Sequence, residues 1–313
     1  MSAARNLGLW MALAAIWGTA FMAIKAGLEP FGSAPVFFAA VRYDLAAVLM
    51  LAYAVLTVDP WRPANRGEWG LVAIGGILMI AGYHAFLFVG EQHTTSAVAA
   101  VIVSTSPILT TGFARALLPG ERLTVTGITG LLLGLLGVLL LAEPDPAKLL
   151  AGHGVGEFLV LLAALSFALG SVLTRWTEAT LPVETMEAWS MIVGAIGMHA
   201  ISVAIGENAG AVVWNWTAVW SLLYLSLVAS AGGFLIYFDL LERLGPIEIN
   251  LVSYVAPVWA ALAGWLVLGE GVGLTTAVGF GLIFLGFWLL KREALAREVE
   301  RVRNHLPTGS DFL

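Results

Sequence analysis

Residues 105–137 read TSPILTTGFARALLPGERLTVTGITGLLLGLLG, and residues 255–286 read VAPVWAALAGWLVLGEGVGLTTAVGFGLIFLG. The two blocks set a proline, a glutamate and two glycines in the same order. The pairs Pro107/Pro257, Glu121/Glu270, Gly130/Gly279 and Gly137/Gly286 lie 149 or 150 residues apart. Upstream, Leu13-Ala14-Ala15-Ile16 meets Leu162-Ala163-Ala164-Leu165 at the same 149-residue offset. The 313-residue chain is therefore two copies of a unit about half its length, which restricts the fold to two related halves and directs attention to where they meet.

Composition places both copies in a membrane. Hydrophobic residues make up 59% of the chain and charged residues 12%, against about 25% charged in soluble domains. Mean hydropathy is +0.90. Apolar stretches near the length that crosses a bilayer recur from end to end. They predict spans at 7–27, 34–58, 69–90, 95–118, 123–142, 155–175, 184–205, 216–239, 247–268 and 273–290. Ten of the twelve prolines (30, 35, 60, 63, 119, 144, 146, 182, 246 and 307) fall between these spans, at the second position of one (Pro35) or in the tail. That is where a residue lacking an N–H and fixing φ belongs. Pro107 and Pro257 fall mid-span. The first span has no small-residue cleavage site after a short apolar core and reads as a retained helix rather than a signal peptide. Cysteine is absent, which excludes disulfides, thiolate catalysis and Cys-ligated metals.

Lysine and arginine set a direction. With the N-terminus inside, the inner segments carry twelve cations: Arg5, Arg62, Arg66, Arg115, Arg122, Arg175, Arg243, Lys291, Arg292, Arg297, Arg301 and Arg303. The outer side carries Lys25 and Lys148, and Arg42 is left inside a span. This is the positive-inside asymmetry, and Trp10, Trp61, Trp69, Trp176, Trp214, Trp216 and Trp288 near span ends form the matching aromatic belts. Five spans per copy is odd, so the second copy runs through the bilayer upside down relative to the first. The expected fold is an all-α integral membrane protein of ten transmembrane helices arranged as two inverted five-helix repeats. The repeats are 7–142 and 153–290, followed by a basic cytoplasmic tail at 291–313. Inverted repeats of this kind build secondary transporters, with a site near the midplane between the halves.

LAAIWGTAFMAIKAG at 13–27, LAALSFALGSVLTR at 162–175 and the two P-x₁₂₋₁₃-E-x₈-G-x₆-G blocks resemble the EamA-type drug/metabolite transporter superfamily, over roughly residues 7–290. Within it the chain is similar to the ten-helix amino acid exporters, aromatic amino acid exporters among them. The resemblance implies export of amino acids or related small metabolites through a central cavity. It implies that the first, third, fourth, sixth, eighth and ninth spans line that cavity and that the fifth and tenth are peripheral. The first copy carries one extra residue between Pro107 and Glu121, so the copies need not be equivalent there.

Pro107 and Pro257 each free the carbonyl four residues back, at Val103 and Ser253, which a bilayer tolerates only where neighbours or cavity water satisfy it. They read as gating hinges or as fixed kinks that serve packing. Gly127, Gly130, Gly134 and Gly137, with Gly279, Gly281 and Gly286, read as packing seams. Glu121 and Glu270 read as caps of the helices that follow them. Ionisable residues inside spans cost roughly 2.5–3.5 kcal/mol or more each, which singles out Arg42, Asp44, His84 and His199. Arg42 is expected to pair with Glu91 or Asp44, a substrate carboxylate being the alternative. His84 is either a hydrogen-bonding group or a proton-coupling one. For substrate contact we expect Trp17, Tyr83, Phe86, Phe167, Tyr237 and Trp259, whose rings form an apolar yet adaptable wall, joined by His84 and Ser253. Ser104, Ser106 and Ser166 add hydroxyls. About half of the aromatics should reach the cavity.

The chain has no HExxH, P-loop or GxSxG pattern, so no enzyme, cofactor or metal is expected, and energy comes from substrate or ion gradients. The segment KREALAREVERVRNHLP at 291–307 reads as an amphipathic helix at anionic headgroups. The expected function is a multi-pass secondary active transporter of the cell inner membrane, both termini cytoplasmic, exporting amino acids or related metabolites by alternating access. The alternatives are a channel-like facilitator of small metabolites and an exporter of drugs or cations. Its expected partners are a small-molecule substrate and membrane lipid, with no nucleic acid, in a monomer or weak homodimer.

Overall fold

The computed structural model describes residues 3–94, 96–118, 125–142, 154–177 and 179–268, with isolated helical positions between 274 and 289. Among these residues every regular element is a helix and none is a strand. In chain order they are α1 (Ala3–Phe31), α2 (Pro35–Thr57), α3 (Arg66–His93), α4 (Ser96–Val103), α5 (Ser106–Leu117) and α6 (Val125–Ala142). There follow α7 (Val155–Trp176), α8 (Val183–Ala204), α9 (Trp216–Leu244), α10 (Pro246–Asn250) and α11 (Val252–Leu268). The helices α1, α2, α3, α7, α8 and α9 are long and apolar enough to cross a membrane. Their outward faces agree: Val48 and Leu56, eight positions apart on α2, are 68% and 83% exposed. An apolar stripe of that kind belongs against lipid, not water. The chain is a multi-pass membrane protein.

Three spans differ from the sequence expectation. The single span expected at 95–118 is two helices, α4 and α5, parted at Ser104–Thr105. Pro107 cannot donate to Val103, and the Ser106 hydroxyl takes over, donating to that carbonyl at 2.6 Å. The span expected at 247–268 is likewise two helices, α10 and α11, parted at Leu251, while Pro257 stays inside α11. Its freed carbonyl, Ser253 O, accepts the Ser104 hydroxyl at 2.8 Å. Finally, α1 runs on to Phe31 and takes in Pro30, where a missing N–H costs a single bond in the last turn. Glu121 and Glu270 lie outside the described residues.

The long helices α3 and α9 each contain a π-helical segment, Gly75–Gly82 and Tyr224–Gly232. The starts are offset by 149 (224 − 75) and the ends by 150 (232 − 82), so the two copies carry the same wide turn. A π turn widens the backbone ladder, and side chains reach its carbonyls in addition to backbone donors such as the Tyr83 N–H, which faces Ile80 O and Leu78 O. Ile80 O faces His84 Nδ1 at 2.9 Å and Leu78 O accepts Ser166 Oγ at 2.7 Å. Ala229 O accepts Trp17 Nε1 at 3.1 Å and Leu225 O accepts Arg42 Nε at 3.2 Å.

Packing pairs each half with the other. α1 packs on α9 and α11, while α7 packs on α3, α4 and α5; α2 lies along α8, and α4 meets α11. Close approach at the α1–α11 crossing depends on Gly18, where a Cβ would collide with the Ala256 carbonyl and come 2.8 Å from Trp259 Cβ. At the seam expected from the glycine pattern, a Cβ on Gly286 would sit 2.5 Å from Gly130 O and 2.6 Å from Gly134 N. The bundle has two ends. One, here end A, gathers the N-terminus, the α2–α3 and α7–α8 connections and the end of α9. At the other, end B, the α1–α2 and α8–α9 connections meet, with Val213 N donating to Pro30 O at 2.9 Å. There the Glu207 carboxylate accepts Val36 N (2.9 Å) and Phe37 N (2.7 Å), capping α2 from the other half of the chain.

Candidate functional site

At the centre of the bundle is a cavity of about 50 Å³ walled by both halves. α1 contributes Trp17, Phe21 and Ile24, α2 contributes Arg42, and α3 contributes Tyr83, His84 and Leu87. Ser106, Phe167, Phe234 and Ser253 close it from α5, α7, α9 and α11. Of the residues expected at a substrate, Trp17, Tyr83, His84, Phe167 and Ser253 therefore line one space, together with Ser106.

The other three expected residues do not line it. Phe86 is half-buried against the core, two positions past His84 and so about 200° further round the helix. Tyr237 is fully buried one layer behind the wall. It stacks on Trp17 (5.2 Å between centroids, 30° between planes) and meets Phe167 at 5.2 Å. Its hydroxyl donates to Asn250 Oδ1 at 3.4 Å, and Asn250 Nδ2 donates to Ser171 Oγ at 3.0 Å. Trp259 stands at the α1–α11 crossing beside Gly18, and its indole N–H has no acceptor among the described residues. Ser166 and Ser104 serve backbone carbonyls between helices.

Arg42 forms no ion pair with Glu91 or Asp44, contrary to expectation. Its neighbour Asp44 is two positions along and so points away round the helix; that carboxylate meets His199 Nε2 at 2.8 Å. Glu91 is wholly buried, and neither of its carboxyl oxygens has a hydrogen-bond partner among the described residues. Lys25 Nζ donates instead to the backbone carbonyls of Glu91 (2.8 Å) and Thr94 (3.1 Å). Arg42 itself is only 3% exposed. Its Nε donates to Ser230 Oγ at 2.7 Å and Leu225 O at 3.2 Å, and its Cζ lies 5.1 Å from the Tyr43 ring centroid. One edge of the guanidinium is thus fixed to α9, and the side chain walls the cavity without a carboxylate beside it among the described residues.

His84 is committed at both ring nitrogens. Ile80 O accepts only, so Nδ1 carries the hydrogen, and Nε2 meets the Tyr43 hydroxyl at 3.0 Å.

A second space, about 500 Å³, opens at end A between Leu71, Leu118, Arg175, Met186, Phe238 and Glu242. One aromatic layer separates it from the central cavity. Phe234 walls the cavity and Phe238 the vestibule, with 5.7 Å between their centroids. Towards end B, Phe31, Phe38 and Phe88 pack ring on ring, at 4.3 Å and 5.2 Å.

The sequence reading missed Phe234, although it lies one turn before Tyr237 on the same face. It also missed Glu187, wholly buried on α8. The repeat offset gives a signal for the site: subtracting or adding 149 maps Trp17 to Ser166, Phe167 to Gly18, His84 to Gly233 and Arg42 to Met191. Apart from Ser253, whose equivalent is Ser104, these wall residues stand where the copies differ. Among the described residues no group of three or more metal-ligating side chains occurs.

Residues 6–142 and 154–292 each match the EamA-like transporter family. The chain is 30% identical over 280 residues to a chloroplastic WAT1-related protein of Arabidopsis thaliana, covering 88% of this chain and 66% of that one. It thus spans about two thirds of that relative's length. It is 28% identical over 275 residues to the uncharacterized transporter YoaV of Bacillus subtilis, covering 88% of this chain and 92% of YoaV. It is also 30% identical over 281 residues to the uncharacterized inner membrane transporter YedA of Escherichia coli, covering 88% and 87%. A crystal structure superposes with a TM-score of 0.71 over 94% of this chain and 99% of its own, at 21% identity, a likeness of fold.

Proposed function

Because this chain belongs to the EamA-like transporter family, we propose that it is a secondary active transporter that exports amino acids or similar carboxylate-bearing metabolites across the inner membrane by alternating access. The observation that carries the substrate class is Arg42. A guanidinium without a counter-ion inside a membrane bundle costs several kcal/mol, and a substrate carboxylate arriving in the cavity supplies that counter-ion. The rings of Trp17, Tyr83, Phe167 and Phe234 then face the side chain of the substrate, apolar or aromatic. Tyr237 and Trp259 hold that wall from behind.

The transport cycle follows from the two spaces. The central cavity has room for a few water molecules, so binding requires it to widen. We read the molecule as ten spans in two inverted repeats, 7–142 and 153–290, with the broken pairs α4–α5 and α10–α11 each forming one crossing. Pro107 and Pro257 are then matched hinges, one in each half. The basic residues Arg62, Arg66, Arg175 and Arg243 gather at end A, so end A is cytoplasmic, along with both termini. In this conformation the route is open from the cytoplasm as far as the aromatic layer and closed towards the outside.

Counterflow in proteoliposomes, measured across a panel of labelled amino acids, tests the reading. Saturable uptake stimulated by unlabelled substrate on the opposite side is the expected result. Linear flux without trans-stimulation would make the protein a facilitator, and exchange confined to organic cations would overturn the carboxylate assignment.

A further inference from the structure

Resting on the transporter reading, we propose that Glu91, His84, Tyr43 and Glu187 form a row of proton-binding groups through the bundle, and that this row couples substrate movement to a proton. Two of the four are acids with no structural employment. Glu91 and Glu187 are each 0% exposed, none of their four carboxyl oxygens is hydrogen-bonded by a side chain among the described residues, and the Leu235 backbone is the one group set against Glu187. The ion pairs found there join other groups, His199 with Asp44 and Arg243 with Asp239. A buried carboxylate without a partner is costly, and taking up a proton is the way such a group removes its charge.

Packing does not require an acid at either place. The position equivalent to Glu187 in the first copy is Phe38 (187 − 149), equally buried and stacked on Phe31. The position equivalent to Glu91 is Leu240 (91 + 149), also buried. Apolar side chains fill those places in the other half, so the acids stand where the fold accepts hydrocarbon.

The four groups line up from one end to the other. Glu91 lies on α3 beside end B, and His84 is seven positions earlier, two turns or about 10 Å along the same helix face. His84 Nε2 meets the Tyr43 hydroxyl at 3.0 Å. The Tyr43 ring packs on Phe234 of α9 at 6.3 Å, and the backbone of the next residue, Leu235, faces the Glu187 carboxyl. Glu187 follows Met186, a wall residue of the end A vestibule. Other charged or titratable groups face the row. Lys25 on α1 acts on Glu91, and Glu157 on α7 accepts the Thr94 hydroxyl near it. Tyr83 acts on Glu91 from the same helix, Arg42 on α2 acts on His84, and Glu184 acts on Glu187 from its own helix. No lysine or arginine comes within ion-pair distance of either acid among the described residues.

Opening of end B brings water to Glu91, and a deeper opening of end A, past the vestibule wall at Met186, brings it to Glu187. A proton bound from one side forms a carboxyl O–H there. Water admitted at that end carries it to His84 Nε2, where an N–H forms; this N–H breaks as a new Tyr43 O–H forms, and the hydroxyl's original proton passes through water to the other acid. It leaves as a hydrated proton when that acid's O–H breaks, so each hop breaks one O–H or N–H bond and forms one. With end A cytoplasmic, inward movement of the proton drives outward movement of substrate.

Two measurements on the full-length protein test this. Infrared difference spectra of the detergent-purified protein between acid and alkaline pH, without substrate, report buried protonated carboxyls through their C=O stretch. We expect one band to vanish in Glu187→Gln and another in Glu91→Gln, both near-isosteric changes. Spectra unaltered by either change overturn the proposal whatever the protein carries. In proteoliposomes, a pH gradient should drive accumulation of the labelled amino acid with the strongest counterflow. Glu187→Gln, Glu91→Gln and Tyr43→Phe should lose that accumulation and keep counterflow, which moves no net proton. Accumulation retained in Glu187→Gln overturns the coupling, and loss of counterflow as well assigns the acids a structural role. If the wild type shows no counterflow while both bands are present, the amino acid reading fails and the proton sites stand.

Discussion

Arg42 is anchored by one edge. Ser230 Oγ and Leu225 O both hold Nε, which orients the planar head before any ligand arrives. On the proposed amino acid reading, Arg42→Ala removes the substrate's counter-charge. Truncating one partner of a buried charge pair costs about 2–5 kcal/mol, so the apparent affinity for amino acids should weaken roughly thirtyfold or more. Arg42→Lys keeps the charge but loses the fork and the anchor, and it should recover only part of that affinity. Affinity unchanged in Arg42→Ala, measured by counterflow, would refute the carboxylate contact. Trp17 and Tyr83 make a second prediction. Both line the cavity, so Trp17→Ala and Tyr83→Ala should depress transport in protein that still elutes as a monodisperse species. Normal kinetics in both variants would take them out of the site. At this scale the sequence was informative about residue type and poor about angle. Trp17, Tyr83 and Phe167 were legible as mid-span aromatics, whereas Phe86 and Tyr237 differ from them by rotation about a helix whose neighbours were unknown. Glu187 was illegible because it lies four positions into its span, where solvent was the natural assumption. Its burial comes from the packing of α8 against α2 and α9.

The two prolines act as elements rather than as isolated kinks. Each frees a carbonyl, and each carbonyl is met by a serine of the first copy: Val103 O by Ser106, Ser253 O by Ser104. Ser104 and Ser253 are themselves equivalent positions, 149 residues apart, so this one bond ties the two proline-bearing regions together at the α4–α11 contact. Ser104→Ala leaves Ser253 O buried without that donor, at a cost of about 1–3 kcal/mol. A lower melting temperature of the purified protein is expected and, if the two prolines are the proposed hinges, slower exchange. A melting temperature equal to the wild type would show that the bond carries no weight. The prolines were plain in the sequence, but the breaks at Ser104–Thr105 and Leu251 were not, because they depend on which hydroxyls reach the freed carbonyls. The π segments were equally hidden. They replace α turns in apolar runs of unremarkable composition, and only the side chains that take their carbonyls (Trp17, Arg42, His84, Ser166) reveal why the wider turn persists.

For the whole molecule, the duplication, the all-helical class and the membrane setting were all present in the two quoted blocks and the composition. Helix pairing across the halves was not, since no local pattern says that α1 packs on α9 and α7 on α3. That exchange of partners is what the proposed alternating access would use. If α1 moves with the second half and α7 with the first, a rocking of one set against the other opens one end as it closes the other. The absence of cysteine makes the idea directly measurable with single introduced thiols and a membrane-impermeant maleimide. Thr180 lies at the end A vestibule, and Val213 is 61% exposed at end B. Thr180→Cys should react only from the cytoplasmic face and Val213→Cys only from the outside; the reverse pattern would invert the assigned orientation. Ile24, 2% exposed on the cavity wall, reports the other state. Ile24→Cys should be unreactive from both sides in the present conformation. As saturating external substrate turns the carrier, it should become reactive from outside while Thr180→Cys becomes protected. A reciprocal change in the two rates is what an alternating carrier requires. Rates that rise together, or do not move, would mean that the cavity admits solute without closing its other end.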